Sequence, residues 1–152
     1  MRTRAIVSPL HLDDRIANHE IGHAVVAFLE GFSLIWCNAN RHTLDDNYGE
    51  VSYIAGREAS HEARARVALA GSLFEPSTPS RSDRERAQLL WALAGSPEQW
   101  IEAREHEVNE SFRRRDVRRA TRALAEALVE NGRILSGPEA ERVLRAHLSA
   151  NE

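Results

Sequence analysis

Between Ile16 and Leu29 the apolar residues recur at helical spacing, and the run closes at Glu30 and Gly31. Ser8-Pro9 offers a helix start with proline in the first turn and Asp13 offers another, so a first helix is expected from residue 8 or 13 to residue 30. The pattern then changes. Residues 33–38 and 48–54 are short runs of aromatic and β-branched residues separated by the polar stretch 41–47, which reads as a β-hairpin. Helical spacing resumes after Ser60 with Ala63, Val67, Ala68 and Leu73 and stops at Pro76, leaving residues 77–80 as a loop. Ser82-Asp-Arg-Glu85 is a capping box that opens a third helix through Leu89, Leu90 and Leu93 to Gly95. Ser96-Pro-Glu-Gln99 is a second such box. It opens a long helical region that admits a break at residues 113–116 and ends at Gly132. A last helix begins around Ser136-Gly-Pro-Glu139 and uses Val143, Leu144 and Leu148. No internal repeat, long linker or low-complexity tract interrupts this order. One domain over residues 1–152 is expected, mainly α with a small β-hairpin.

Composition removes several classes of function. A chain of 152 residues buries a core without staples, and Cys37, the sole cysteine, cannot form an intramolecular disulfide. A reducing compartment and a half-buried strand thiol follow as expectations. No stretch approaches the roughly 18 apolar residues of a membrane span, so a soluble cytoplasmic protein without membrane contact is expected. Net charge is −3, and all 20 basic residues are arginine. Arg113, Arg114, Arg115, Arg118, Arg119 and Arg122 form one basic cluster, but Glu107, Glu110, Asp116 and Glu126 alternate with them at helical spacings. That pattern predicts an ion-paired helix face and no nucleic-acid partner.

Chemistry concentrates in His19-Glu20-Ile21-Gly22-His23. Histidines four residues apart on a helix share a face, so both imidazoles can reach one tetrahedral Zn²⁺ while Glu20 stands beside it. Such a metal lowers the pKa of a water to about 7, and a neighbouring carboxylate can take its proton, which makes Glu20 the candidate general base. Gly22 allows another segment to approach closely. A catalytic zinc needs a third protein ligand, and the candidates are His11, His42, His61, Glu50, Glu75 and Asp83. His11 lies too far along the helix axis. Asp83 is favoured by its place in a first helical turn behind a capping serine, although an aspartate that only stabilises the helix start would look the same.

These residues resemble the zinc peptidase domain of the FtsH-type membrane AAA proteases. The family's His-Glu-Ala-Gly-His helix is matched by His19 to His23, and its hairpin strand is similar to Tyr48-Gly-Glu-Val-Ser52. Its glycine-rich second helix is similar to Ala70-Gly-Ser-Leu-Phe-Glu75, and its Ser-Asn-Asp motif to Arg81-Ser-Asp-Arg-Glu-Arg-Ala87. The tail from Leu124 to Glu139 is also similar, so the ordered matches span nearly the whole chain. Ile21 replaces alanine, the second-helix motif has lost one glycine and its arginine, and Arg84 stands where the family has a hydrophobic residue. There is no Gly-x-x-x-x-Gly-Lys phosphate loop and no lysine.

The resemblance implies a zincin-like helical metallopeptidase domain in which His19, His23 and Asp83 bind Zn²⁺ and Glu20 activates water. Without an ATPase segment, it is expected to cut peptides or unfolded chains independently of ATP, with a homo-oligomer or a separate unfoldase partner left open. Substrate would pair with a hairpin strand, around residues 34–38 or 49–53, with Trp36, Tyr48 and Tyr53 either lining pockets or packing the hairpin onto the helices. Two alternatives stand beside this one. A non-catalytic binding or regulatory relative is suggested by the divergence around Gly71, and a zinc peptidase of another His-Glu-x-x-His lineage would take its third ligand elsewhere.

Overall fold

Helix α1, Arg15–Leu29, is buried almost all round, with every residue from Ala17 to Ala27 withdrawn from solvent. A helix buried on all faces belongs at the centre of a fold, and here it packs against helices on one side and a sheet on the other while burying Asn18, His19, Glu20 and His23 among its apolar residues. A computed structural model describes residues 15–41, 48–95 and 97–148. The predicted start of α1 at residue 8 or 13, and His11 and His42, lie outside the described residues.

After α1 come strands β1, Ser33–Arg41, and β2, Tyr48–Ile54, then helices α2, His61–Phe74, and α3, Arg81–Leu93. Helices α4, Trp100–Arg113, and α5, Arg115–Glu130, are followed by strand β3, Ile134–Ser136, and helix α6, Gly137–His147. The architecture is mainly helical with a small antiparallel sheet of order β2-β1-β3. The expected hairpin is therefore two-thirds of a sheet whose third strand arrives from near the chain's far end. β1 is its central strand: residues 36–38 pair on both sides and the Leu34 amide donates to Glu141 Oε2 at 2.8 Å, so this stretch offers no free edge to a substrate.

Local chemistry explains the element boundaries. Ser60 caps α2 by accepting from the Ala63 amide, and Ser136 caps α6 by accepting from the Glu139 amide. α3 differs from expectation: Ser80, not Ser82, is the cap, with its Oγ 3.2 Å from the Asp83 amide nitrogen. Ser80 and Asp83 have the same three-residue capping spacing as Ser82 and Glu85, so the helix gains two residues at its start. The α4 start also differs, because Gln99 precedes it in a left-handed conformation without a side-chain cap, and Ser96 is not among the described residues. The helical break occurs at Arg114, whose extended backbone separates α4 from α5. Arg113 pairs with Glu110 and Arg114 with the buried Asp116, part of the charge alternation predicted there.

The main core joins α1 residues such as Ile21 and Val25 to Val67 of α2, Phe112 of α4, Leu124 and Leu128 of α5 and Leu144 of α6. A second, smaller cluster of Ala65, Leu90 and Trp100 holds α3. No helix among the described residues is long and apolar enough to cross a membrane.

Candidate metal centre

Helical spacing puts His19 and His23 one turn apart on the face of α1 that meets α2 and the start of α3. Their Nε2 atoms are 3.1 Å apart, and Oδ2 of Asp83 lies 3.0 Å from the first and 2.9 Å from the second. These are the described residues whose ligand-type atoms converge as a group of three or more.

The outward nitrogens explain what the inward ones are for. Nδ1 of His23 is 2.7 Å from the Val67 carbonyl, which only accepts, so that nitrogen carries a proton and donates it. Nδ1 of His19 is 3.0 Å from Oγ1 of Thr78, and that hydroxyl donates onward to the Glu75 carbonyl. The Thr78 oxygen therefore accepts from His19. Neutral rings held in this way turn bare Nε2 lone pairs toward the Asp83 carboxylate, an arrangement that repels itself unless positive charge sits among the three atoms. Edges of 2.9 to 3.1 Å are slightly tighter than the about 3.3 Å expected between nitrogen or oxygen ligands of tetrahedral zinc. The donor set fits Zn²⁺.

Electrostatics agree with that requirement. Without a metal, protons on Nε2 would supply that positive charge: burial works against charge on Asp83, yet hydrogen bonds donated from both Nε2 atoms outweigh it and hold its carboxyl well below the usual range. Burial likewise opposes charge on His23, but Asp83, Glu20 and the Val67 carbonyl prevail and its pKa is raised. The pocket attracts a cation, whether a proton or a metal. Beside it, Glu20 is pushed up to about 7, chiefly by burial, with His23 opposing and Asp83 and Glu50 adding to the rise.

Three glycines make the geometry possible. A Cβ on Gly71 of α2 would come within 2.5 Å of the His23 Nε2 and 2.6 Å of the His19 Nε2. Gly71 is thus the small residue that the placement of the two imidazoles requires. A Cβ on Gly49 of β2 would meet Glu20 Cγ at 2.9 Å, so bare backbone there holds the glutamate against the sheet. Gly22 is where α2 presses on α1, since a Cβ would lie 2.7 Å from the Ala70 carbonyl oxygen.

Other candidates are placed elsewhere. Glu75 accepts from the Asn18 side chain at 3.1 Å and from Ser77, tying the end of α2 to α1. His61 stands in the first turn of α2 and is not part of the convergent group, and Glu50 lines the neighbouring cleft. Cys37 is fully buried in β1, deeper than expected, and burial pushes its thiol pKa up, away from the thiolate a metal would need. Thr78 escaped the sequence reading, because no motif marks a threonine that meets a histidine 59 positions away. Thr78→Val removes the acceptor for His19 while keeping shape. It should weaken zinc binding about 10- to 100-fold, measured by competition with a chromogenic chelator.

The cluster opens into a cleft of about 860 Å³. One wall is β2, through Gly49, Glu50, Val51 and Tyr53, and the opposite wall is the loop of residues 77–80 with the start of α3. Tyr53 both lines the cleft and stacks on Phe32 with ring centroids 5.7 Å apart, so the two roles weighed for it coexist. Trp36 is partly exposed and is not among the cleft-lining residues; the Tyr48 side chain lies outside the description. Comparison of the chain with protein-family models and with curated proteins gives no match.

Proposed function

We propose that the chain is a zinc-dependent endopeptidase of zincin-like type, similar to the peptidase domain of FtsH-type proteases, acting on peptides or unfolded segments. The observation that carries this reading is the convergence of three lone-pair atoms whose outward partners fix both imidazole tautomers, with a buried glutamate beside them. His19, His23 and Asp83 would hold Zn²⁺. When bound, zinc supplies a Lewis acid that polarises a peptide carbonyl and acidifies water. Glu20, with a pKa of about 7 before any metal contributes, is suited to take the proton of the attacking water and return it to the departing amine. Thr78 and the Val67 carbonyl keep the rings from rotating.

The sheet supports an extended substrate. Among the described residues β2 is an edge strand, and the residues along it that line the cleft lead past Glu20. A peptide laid against that edge gains main-chain hydrogen bonds, which a folded domain cannot offer without opening. Purified protein is expected to carry about one Zn²⁺ per chain and to cut a casein-like unfolded substrate in preference to a stable folded domain, with no effect of ATP. His19→Ala, His23→Ala and Asp83→Ala should each lose zinc, whereas His61→Ala and Glu75→Ala keep it. Full activity in a thoroughly chelated sample, or full zinc occupancy in Asp83→Ala, would overturn the assignment.

A further inference from the structure

Helical spacing places two arginines on the same faces as the ligands. Arg15 precedes His19 by four residues on α1, and Arg86 follows Asp83 by three on α3, so each stands one turn from a ligand on a different helix. Both line the cleft, both are exposed, and neither has an ion-pair partner among the described residues. Arg81 also lines it, 93% exposed and paired with Glu85. Among the cleft-lining carboxylates, Glu20 and Asp83 belong to the site and Glu50 alone faces solvent. Over the whole lining three arginines match three carboxylates, but the exposed charges around the ligand group are three arginines against one glutamate, in a chain whose net charge is −3.

We infer that the cleft selects acidic peptides, with Arg15 and Arg86 as specificity-determining residues that attract carboxylates flanking the scissile bond. This rests on the peptidase reading and adds to it a substrate class. The arginines act from outside the catalytic group: an exposed guanidinium contributes modest attraction, and two of them lining one cleft, one on α1 and one on α3, add along an extended chain. Attraction between exposed charges is screened, so the preference shrinks as salt rises.

The experiment uses three quenched-fluorophore peptides sharing an alanine, leucine and phenylalanine centre, flanked on both sides by glutamate, glutamine or lysine. With zinc-loaded protein in low salt, kcat/KM should fall in the order glutamate, glutamine, lysine, with about a three- to tenfold ratio between the first and last. R15E combined with R86E should invert the order, and 0.5 M salt should compress it. Equal kcat/KM for the three peptides, or an order unchanged in the double variant, overturns the inference. If none of the peptides is cut, the peptidase reading fails instead. Charge selection is then decided by anisotropy titration of the same peptides onto E20Q protein, where tighter binding of the glutamate peptide supports it and equal binding overturns it.

Discussion

Glu20→Gln is expected to keep zinc and fold while losing peptide hydrolysis by several orders of magnitude. Glutamine preserves the size of the side chain and its contact with Gly49, but it cannot accept a proton from water. Loss of a positioned base removes about 10²- to 10⁴-fold by itself, more where the same group also returns the proton to the leaving amine. Stability should not fall. Burial already pushes the Glu20 pKa to about 7, so a neutral amide removes a poorly solvated charge from the interior. Metal content, a thermal melt and kcat/KM on one unfolded substrate check the three parts separately. A variant that cuts at the wild-type rate would remove Glu20 from the chemistry.

Gly71→Ala should have the largest effect on the metal without touching a ligand. The added methyl would sit 2.5 and 2.6 Å from the two inward nitrogens, and α2 cannot withdraw easily because Gly22 is packed against the Ala70 carbonyl. The imidazoles have to turn, losing the Val67 and Thr78 bonds that aim them. Alanine also raises helix propensity by about 1 kcal/mol over glycine, so the helix itself does not suffer. Zinc affinity is expected to drop at least about 100-fold with the melting temperature little changed. Gly56→Ala, where a Cβ would meet nothing within 4 Å, is the matched control. Wild-type zinc affinity in Gly71→Ala would mean that the rings are not held where they stand.

What sequence made legible was local. The periodicity of residues 16–29, the hairpin strands, and the Ser60 and Ser136 caps each depend on neighbours a few positions apart, and they appear as expected. His19 and His23 belong to that class, since one helix turn fixes their relation. Asp83 was legible as a first-turn aspartate, but its meeting with α1 across 60 to 64 positions depends on how two helices dock. β3 was missed because its three residues, with only Leu135 buried, are too short to display an alternation. The Ser80 cap was missed for a different reason: two overlapping serine-to-acid spacings compete in one loop, and backbone conformation decides between them.

The division of the core gives the ligand set a mechanical meaning. His19 and His23 are rooted in the main hydrophobic core, whereas Asp83 rides on α3, whose inner face is anchored by Leu90 in a separate small cluster with Ala65 and Trp100. Only Ala87 and Leu90 of that helix are buried. Segments so lightly moored open at a fraction of the free energy of global unfolding, and a species bound across two of them lends its binding energy to their docking. A cation shared by these three side chains would act as a rivet between a rigid half and a hinged half. Because α3 and the loop before it also form one wall of the cleft, withdrawing the cation would slacken the groove itself, so a metal-starved chain would lose its grip on peptide along with its chemistry.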